Sequence, residues 1–478
     1  MAINRYAGIS PFTSEQGDVF FGRNKDIVEL YEQILLEKQV LLYAKSGIGK
    51  TSLINAGVVP KLEKVEHFLP LKIRFFSFNE NNPVKPLERI FDKLNNLENI
   101  DLKQNTILDQ LSGNTPKTLW YYFKKIQLLK SDLKIILIFD QFEELFTYPE
   151  ADILEFKNQF SEILKGEVPP DFIELFAKIR LENRELMNRQ NLGLLNQIIE
   201  IKAVYIIRAD RLSELNRLRD RIPNIQKSYY ELLPLDLEQA QQAIENPAIK
   251  DDDENLKFAS PKFKYKPESI SKIVNFLTKK NTQSIETTQL QIICQKIEEV
   301  AIAKSQNKLT NQIVEIEKTD LPEFDEIFLN FYESSVKKIP LEYQEKAIIL
   351  IEDNLIKNEL RISLDKNLCT EYISETSLDI LVYTHLLRAE RNTVGGYSYE
   401  LSHDTLVKPI SDSRKKRKAI EAEIKAEQER KEELRIANEK AEKERIEREK
   451  ERLEQEKERK RRRVTLRNFT EAFSRNRT

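Results

Sequence analysis

The 478-residue sequence has little cysteine and histidine, and this scarcity excludes several classes of protein. The two cysteines, Cys294 and Cys369, are too few and too far apart for a disulfide framework or a cysteine-rich metal site. Two thiols are typical of a protein in a reducing compartment, so we expect a cytoplasmic location. The three histidines, His67, His385 and His403, follow no zinc-binding spacing.

The sequence also lacks long apolar runs. No stretch approaches the roughly 18 apolar residues that a membrane-spanning helix needs, so we expect no transmembrane segment. Its first ten residues have neither the basic nor the apolar part of a signal peptide.

Charged residues, in contrast, are abundant and unevenly distributed. The segment Ser413–Thr478 holds 24 basic and 16 acidic residues, whereas the other 412 residues hold 53 basic and 63 acidic ones, so a basic tail follows an acidic body.

Residues Met1–Leu233 alternate short apolar runs with amphipathic segments, which predicts an α/β domain with a parallel sheet and crossover helices. Apolar residues recur at helical spacing in Pro234–Ile327, so we predict a helical domain without strands there. The strand candidates of the first domain are Val40–Tyr43, Leu71–Phe78, Ile135–Phe139 and Ala203–Ile207.

The rest of the chain divides into three parts. Phe328–Asp412 combines two helical patterns with a hairpin signal at Gly395-Gly396, which predicts a winged-helix domain. Ser413–Arg463 is rich in Glu, Lys and Arg with Glu four residues before Lys or Arg, and its large apolar residues keep no heptad seam. We therefore predict a single charged helix or a weak coiled coil, followed by a disordered tail at Val464–Thr478.

The strongest motif is the octapeptide Ala44–Thr51, AKSGIGKT, which lies between a strand candidate and a helical pattern. A glycine-rich turn in this context is typical of a P-loop. Gly47 and Gly49 let backbone N–H groups turn toward a phosphate without a clash from Cβ, while Lys50 neutralises phosphate oxygens. Ala44 replaces the usual first glycine, a change that ATP binding should tolerate. We therefore predict that ATP or ADP is bound by the residues Ser46, Gly47, Ile48, Gly49, Lys50, Thr51 and Ser52.

A second motif follows the apolar run Ile135–Phe139, which predicts a buried central strand. Asp140 at the carboxyl end of this strand and the hydroxyl of Thr51 are expected to hold Mg²⁺. Glu143 or Glu144 then polarises the attacking water, although either could be a solvated acid at the start of a helix. Arg208 ends a further strand, where it either senses the γ-phosphate or only pairs with Asp210.

The order of these motifs resembles the novel STAND NTPases of bacteria, relatives of the NACHT and apoptotic ATPases. Asp140–Phe146 is similar to the Walker B box of that family, and Ile207–Asp210 is similar to its sensor strand. Tyr399–Leu406 resembles the box that closes its winged helix. The resemblance extends over Tyr6–Asp412 and includes the segments Ser10–Thr13, Phe20–Arg23, Asn55–Pro60 and Leu235–Pro247.

The resemblance implies a slow ATPase that acts as a switch in bacterial signal transduction or antiphage defence. ADP would hold the winged helix closed, and exchange for ATP would produce a homo-oligomer. Phe21, Gly22 and Arg23 would lie near the adenine, Pro234 under the base, and His403 on the β-phosphate. Many relatives continue into a membrane anchor and repeat sensors, whereas this chain stops at Thr478, so we expect a sensor or effector that is encoded separately or missing.

Two other functions stay open. A DNA-associated ATPase of the origin-recognition type would share the P-loop core and the winged helix, but the basic residues of Phe328–Asp412 form no stripe, and there is no strong nucleic-acid signal. A scaffold would use the charged helix to assemble partners, with nucleotide only stabilising the fold. The basic cluster Arg459–Arg463 is most simply a solvated helix end.

Overall fold

A computed structural model of the protein describes residues 3–45, 47–65, 67–76, 78, 84–97, 100–113, 117–252, 257–278, 285–306, 313–391, 396–402 and 406–475, with the backbone alone for 390–391 and 466–475. The chain forms two compact units, Met1–Ile327 and Phe328–Thr478. Each unit has buried hydrophobic residues of its own.

A five-stranded parallel sheet forms the centre of the first unit, with strand order β2-β3-β4-β1-β5. Because the strands are parallel, the segments that follow β1, β3 and β4 all begin at the carboxyl ends of the strands. This is the side of an α/β sheet where ligands bind. The strands are β1 (Gln39–Ala44), β2 (Phe68–Arg74), β3 (Lys134–Asp140), β4 (Ile201–Arg208) and β5 (Tyr229–Glu231).

The central strand β3 is apolar because both of its faces are covered. Ile135, Leu137 and Phe139 pack into one hydrophobic cluster, and Ile136 and Ile138 pack into another. Successive side chains of a strand point to opposite faces, so a strand buried on both sides reads as a continuous apolar run. The prediction of a buried central strand is therefore confirmed.

The four predicted strands are all present, but β2 ends earlier than expected. It ends at Arg74, whereas the apolar pattern continues to Phe78. The apolar pattern outlasts the strand because Phe75 packs on Phe139, with ring centroids 5.6 Å apart. Strand β5 was not predicted, since its three residues are too few to show a period of two.

The described residues of the first unit form twelve complete α-helices. A π-helical segment, Leu53–Val58, joins α2 and α3, and four described segments are 3₁₀ helices, namely Ser14–Val19, Phe142–Thr147, Ala209–Leu218 and Lys318–Asp320. The α-helices are α1 (Asn24–Leu36), α2 (Lys50–Ser52), α3 (Val59–Glu63), α4 (Pro86–Asn95), α5 (Ile107–Ser112), α6 (Leu119–Leu129), α7 (Glu150–Lys165), α8 (Pro170–Glu182), α9 (Arg189–Asn196), α10 (Leu237–Ile249), α11 (Pro267–Leu277) and α12 (Thr287–Gln306).

The region after β5 contains α10, α11 and α12, which we call the helical region. Asp236 begins α10 by accepting a hydrogen bond from Gln239 N at 2.8 Å, while the Gln239 side chain accepts one from Asp236 N at 3.0 Å. This reciprocal pair is a capping box. The expectation that Pro234–Ile327 lacks strands is wrong, because β6 (Phe263–Tyr265) and β7 (Val314–Ile316) form a parallel pair too short to show alternation.

The N-terminal segment is held by a buried polar network in the helical region. Arg5 donates to Ser260 Oγ at 3.0 Å and to the carbonyl oxygen of Pro247 at 2.9 Å. Glu298 accepts from Arg5 N at 2.9 Å and from Ser260 Oγ at 2.5 Å. Arg5 is 1% exposed and Glu298 is 2% exposed, so both charges depend on these partners.

The second unit combines short helices with small antiparallel sheets. A three-stranded sheet has the order β10-β12-β11, and β8 pairs with β9. The predicted hairpin is confirmed, since β11 pairs with β12 and Ala389 lies opposite Tyr399, although Gly395 is outside the described residues. The remaining elements are α13 (Phe324–Val336), α14 (Leu341–Ile349), a π-helical segment (Leu350–Asn354), β8 (Ile356–Lys357), β9 (Leu360–Arg361), β10 (Leu364–Asp365), α15 (Lys366–Thr370), α16 (Glu375–Tyr383), β11 (Leu387–Arg391), β12 (Tyr397–Leu401) and α17 (Val407–Arg475).

The first turns of helix α17 are anchored to the π-helical segment of the second unit, and its later turns are exposed. Arg417 donates to Glu352 Oε2 and to Asp353 Oδ2, both at 2.8 Å, and Glu352 is 1% exposed. Beyond Arg417, the described side chains as far as Thr465 are all exposed. Pairs of Glu and Lys four residues apart, such as Glu427 with Lys431 at 2.6 Å, support this solvated helix.

The helix also continues through Val464–Arg475, where we expected a disordered tail, and that expectation is wrong for these residues. The stretch has neither proline nor glycine, and propagation of an existing helix costs much less than nucleation of a new one. Within the described residues, no helix has both the length and the apolar character needed to cross a membrane.

Candidate functional site

The octapeptide Ala44–Thr51 forms the turn between β1 and α2. Gly47 has φ +79° and Gly49 has φ +97°, which is left-handed backbone that residues with a Cβ adopt only at a cost. Gly49 lies at the N-terminus of the helix that starts with Lys50. The sequence therefore folds here into the turn expected of a P-loop, with Ser46 outside the described residues.

Lys50 is folded back onto the loop itself. Its Nζ donates to the carbonyl oxygens of Ala44 at 3.0 Å and Lys45 at 3.3 Å. Burial lowers the pKa of Lys50 to about 8, while the negative charges of Glu143 and Asp140 act in the opposite direction. The amine therefore lies in a place where an added anion would stabilise its charged form.

Thr51 and Asp140 meet where a cation would bind. The Thr51 hydroxyl donates to Asp140 Oδ1 at 3.1 Å, and Asp140 is 3% exposed. Oxygen ligands of this kind suit Mg²⁺, which in nucleotide sites takes one or two protein oxygens together with phosphates and water. Among the described residues, no group of three or more His, Cys, Asp and Glu could hold a metal by itself. The residues present fit a magnesium ion that arrives with a nucleotide.

Glu143 and Glu144 follow Asp140, and both are half-buried. Both lie in the 3₁₀ helix Phe142–Thr147, behind Gln141, which has left-handed backbone with φ +54°. Burial raises the pKa of Glu143 to about 7, against the opposing charge of Lys50. Glu143 Oε2 is buried and has no hydrogen-bond partner among the described residues. A buried acceptor of this kind is a place where a water molecule would be held.

Arg208, at the end of β4, is paired with Asp210. Its Nε donates to Asp210 Oδ1 at 3.1 Å, and its terminal nitrogen donates to Oδ2 at 3.0 Å. The guanidinium also acts electrostatically on both Lys50 and Glu143, so it belongs to the same cluster of charges. The structure thus contains the pairing with Asp210 and also brings Arg208 to the site.

Arg23 lies beneath the P-loop and is 3% exposed. It donates to the carbonyl oxygen of Ile48 at 3.1 Å, to that of Leu233 at 2.8 Å and to Asp26 Oδ2 at 3.2 Å. Burial lowers the pKa of this arginine, and the charge of Asp26 opposes that effect. Arg23 therefore connects the P-loop backbone to the segment that leads into the helical region.

Gly22 allows a close approach between the N-terminal segment and the helical region. Its φ is +81°, and a Cβ built on it would lie 2.3 Å from the carbonyl oxygen of Gln239 in α10. The neighbouring Phe21 is half-buried, and so is Pro234, which lies between β5 and α10. Phe21, Gly22, Arg23 and Pro234 remain predictions as contacts of the adenine.

Two further predicted residues serve the packing of the loop. The side chain of Ile48 is 3% exposed in the hydrophobic cluster on one face of the sheet. The hydroxyl of Ser52 accepts a hydrogen bond from Phe12 N at 3.2 Å, which fixes the N-terminal segment to the helix after the loop. His403, which we predicted on the β-phosphate, is outside the described residues.

Sequence reasoning missed two threonines in α12. The hydroxyls of Thr287 and Thr288 donate to the carbonyl oxygen of Gly47, at 2.8 Å and 3.0 Å. About 240 residues separate them from the loop, and two adjacent threonines at a helix start resemble any other helix start. The segment is held by Leu235 and Ile285, whose backbones exchange hydrogen bonds of 3.1 Å and 2.9 Å.

Comparison with solved structures finds chains of similar extent but low similarity. The Walker-type ATPase of Pyrococcus abyssi is 13% identical, with a TM-score of 0.39 over 84% of this chain and 98% of that one. The ADP form of the Aeropyrum pernix ORC2 protein is 14% identical, with a TM-score of 0.37 over 82% and 94%. Cdc6p from Pyrobaculum aerophilum is 15% identical, with a TM-score of 0.34 over 83% and 94%.

Comparison with known families gives a more specific result. No curated protein matches the chain. The family model described as Novel STAND NTPase 1 matches residues 6–258, which is more than half of the sequence and includes the P-loop, Asp140, Glu143 and Arg208. The resemblance seen in the sequence motifs is confirmed, and the chain belongs to the novel STAND NTPase family.

Proposed function

We propose that this protein is an ATP-binding switch that exchanges ADP for ATP, oligomerises in the ATP state and hydrolyses ATP slowly. The observation that carries the proposal is the joint arrangement of the P-loop, the Thr51–Asp140 pair at 3.1 Å, and Glu143, whose buried Oε2 has no partner among the described residues and whose charge interacts with Lys50. Membership of an NTPase family supports the same conclusion.

Binding would depend on the loop and on Lys50. The two carbonyl oxygens that now accept from Lys50 Nζ are poor substitutes for a polyphosphate, since each carries only a partial charge. An ammonium group in a low-dielectric site gains much more from a full negative charge. We therefore expect Lys50 to exchange these carbonyls for phosphate oxygens when ATP or ADP binds.

Magnesium would be held by Thr51 and Asp140 together with phosphate oxygens. When bound, it would neutralise charge that develops on the phosphates during hydrolysis. Asp140 is 3% exposed and accepts the hydrogen bond from Thr51, which fixes the position of its carboxylate.

Hydrolysis would use Glu143 as the residue that orients and activates water. Its buried Oε2 is available as an acceptor, and a pKa near 7 allows it to take up a proton at neutral pH. Glu144 stays the alternative from sequence, and the buried Oε2 of Glu143 supports the choice of Glu143. Arg208 would stabilise charge on the γ-phosphate if nucleotide draws it away from Asp210.

The switch would use the second unit. We interpret its short helices and three-stranded sheet as a winged helix, and α17 as a single charged helix. On the family resemblance, His403 would contact the β-phosphate in the ADP state, and ATP would release that contact. A role in bacterial signal transduction or antiphage defence is proposed on the same resemblance.

The first test is nucleotide binding by calorimetry with Mg²⁺ and ATP. Lys50→Ala should abolish measurable binding, whereas Lys45→Ala should bind like the wild type, because Lys45 is exposed and only its backbone carbonyl contacts Lys50. Equal binding by both variants would refute the assignment of the loop.

The second test separates the switch from simple binding. Size-exclusion chromatography with light scattering should give a larger mass with a non-hydrolysable ATP analogue than with ADP. One mass in both states would exclude a nucleotide-driven oligomer. Glu143→Gln should lose hydrolysis and keep binding, whereas Glu144→Gln should keep both, and the reverse result would assign the base to Glu144.

A further inference from the structure

Two consecutive carbonyl groups of the P-loop are held from outside the loop. The carbonyl oxygen of Gly47 accepts from Thr287 Oγ1 at 2.8 Å and from Thr288 Oγ1 at 3.0 Å. The carbonyl oxygen of Ile48 accepts from the Arg23 guanidinium at 3.1 Å. All three donors are side chains, and the two hydroxyls belong to the helical region.

Fixing a carbonyl also fixes the amide that shares its peptide bond. None of the described peptide bonds is cis. In a planar trans peptide the C=O of one residue and the N–H of the next point in opposite directions. The threonines therefore fix the direction of the Ile48 N–H, and Arg23 fixes that of the Gly49 N–H. These amides belong to the row that a P-loop turns toward phosphates.

The hydroxyl pair is itself well fixed. Thr287 and Thr288 begin α12, and β-branched side chains have few rotamers in a helix. Thr287 Oγ1 would also lie 3.5 Å from a Cβ placed on Gly49, so it approaches the loop at two points. Leu235 and Ile285 pair just before the threonines, which holds the start of α12 beside the segment that follows β5.

We propose that Thr287 and Thr288 are positioning residues through which the helical region controls the phosphate-binding geometry of the P-loop. The inference rests on the proposed nucleotide-binding function. When α12 is docked, the Gly47 carbonyl is held outward and the Ile48 amide is directed inward. When α12 moves away, the peptide is free to rotate and the loop loses a preorganised donor. Because such coupling is reciprocal, a bound nucleotide would in turn favour the docked helical region.

The test replaces both threonines by valine, which keeps the shape and removes the hydroxyls. The Kd of the double variant Thr287→Val/Thr288→Val for ADP should rise about tenfold, since two hydrogen bonds that orient the loop are lost. The matched double variant Thr287→Ser/Thr288→Ser keeps both hydroxyls and should bind within about twofold of the wild type. Equal affinity of the valine and serine variants would overturn the proposal.

A second measurement does not depend on nucleotide. Hydrogen exchange of the peptide that contains Gly47–Lys50, followed by mass spectrometry without nucleotide, should be faster in the valine variant and unchanged in the serine variant. Unchanged exchange in the valine variant would also overturn the proposal. If the wild type binds no ATP while the valine variant exchanges faster, the positioning role holds and the proposed function fails.

Discussion

Gly22 gives a sharp test of how the helical region contacts the rest of the first unit. The substitution Gly22→Ala adds one methyl group at a residue with φ +81°, and this group would lie 2.3 Å from the carbonyl oxygen of Gln239. That oxygen is part of the backbone of α10, so it cannot rotate away as a flexible side chain would. Either α10 shifts or the backbone at Gly22 changes conformation.

The expected cost has two parts. Left-handed backbone costs about 1–2 kcal/mol for a residue with a Cβ, and forcing an extra methyl group into a packed contact costs about 1–3 kcal/mol. We therefore expect Gly22→Ala to lower the free energy of unfolding by about 3 kcal/mol. Gly113→Ala should show a conformational cost without a clash, because Gly113 has open space around it; its φ of +49° and ψ of −117° lie outside the left-handed helical region, so the size of that cost need not match the one at Gly22.

A third variant serves as the control for both. Gly193 lies within α9, and a Cβ there would meet no atom within 4 Å, so Gly193→Ala should stabilise the protein by about 0.5–1 kcal/mol. Urea unfolding can be followed through Trp120, the single tryptophan of the chain, which is 1% exposed in the first unit. A loss of about 2 kcal/mol or less in Gly22→Ala, which a left-handed backbone cost of about 1–2 kcal/mol would explain by itself, would refute the close contact with α10.

Three further predictions concern buried charges. Arg5→Ala removes a buried guanidinium that donates to Ser260 Oγ and to the Pro247 carbonyl oxygen and whose charge acts on the buried Glu298, so urea unfolding followed by tryptophan fluorescence should show a loss of about 3 kcal/mol. Because the pKa of Glu143 is raised to about 7 and the base acts as carboxylate, ATP turnover should rise about tenfold from pH 6 to pH 8. Arg417→Ala removes the partner of the buried Glu352 and should lower the free energy of unfolding of the second unit by about 3 kcal/mol. Arg435→Ala, at an exposed ion pair, should change that free energy by less than about 0.5 kcal/mol, and hydrogen exchange of α14 measures both variants.

Each of these predictions has a result that would contradict it. A loss below about 1 kcal/mol in Arg5→Ala would mean that the remaining hydrogen bonds satisfy Glu298. A turnover that falls as the pH rises would be incompatible with Glu143 as the base, and the weak residual turnover of Glu143→Gln should not vary over this range. Similar exchange rates in Arg417→Ala and Arg435→Ala would show that α17 is not anchored by its first turns.

The sequence predicts the local part of the site well, because its geometry depends on neighbouring residues. Gly47 and Gly49 permit the left-handed turn, the apolar run before Asp140 specifies a doubly buried strand, and the parallel sheet brings strand ends together. The predicted end of strand β2 is wrong because Phe75, which continues the apolar pattern, packs on Phe139 and does not pair within the sheet.

The long-range contacts of the site could not be predicted in the same way. Arg23 follows a recognisable box, but its contacts with Ile48 and Leu233 depend on the packing of distant segments. Thr287 and Thr288 have no distinctive pattern, since threonine is common at helix starts and either hydroxyl could have faced solvent. The burial of Glu143 Oε2, on which our proposal of Glu143 as the base depends, likewise comes from packing that adjacent acids in a sequence do not indicate.

The anchoring of α17 has a mechanical consequence. From Arg417 to Arg475 the helix is about 87 Å long at 1.5 Å per residue, and its base is fixed to Glu352 and Asp353. A tilt of about 10° at the base would carry the far end through about 15 Å, along with the basic cluster Arg459–Arg463. A small shift of Arg417 relative to the two carboxylates would thus move the far end of α17 by more than the width of a helix, so α17 would act as a lever arm.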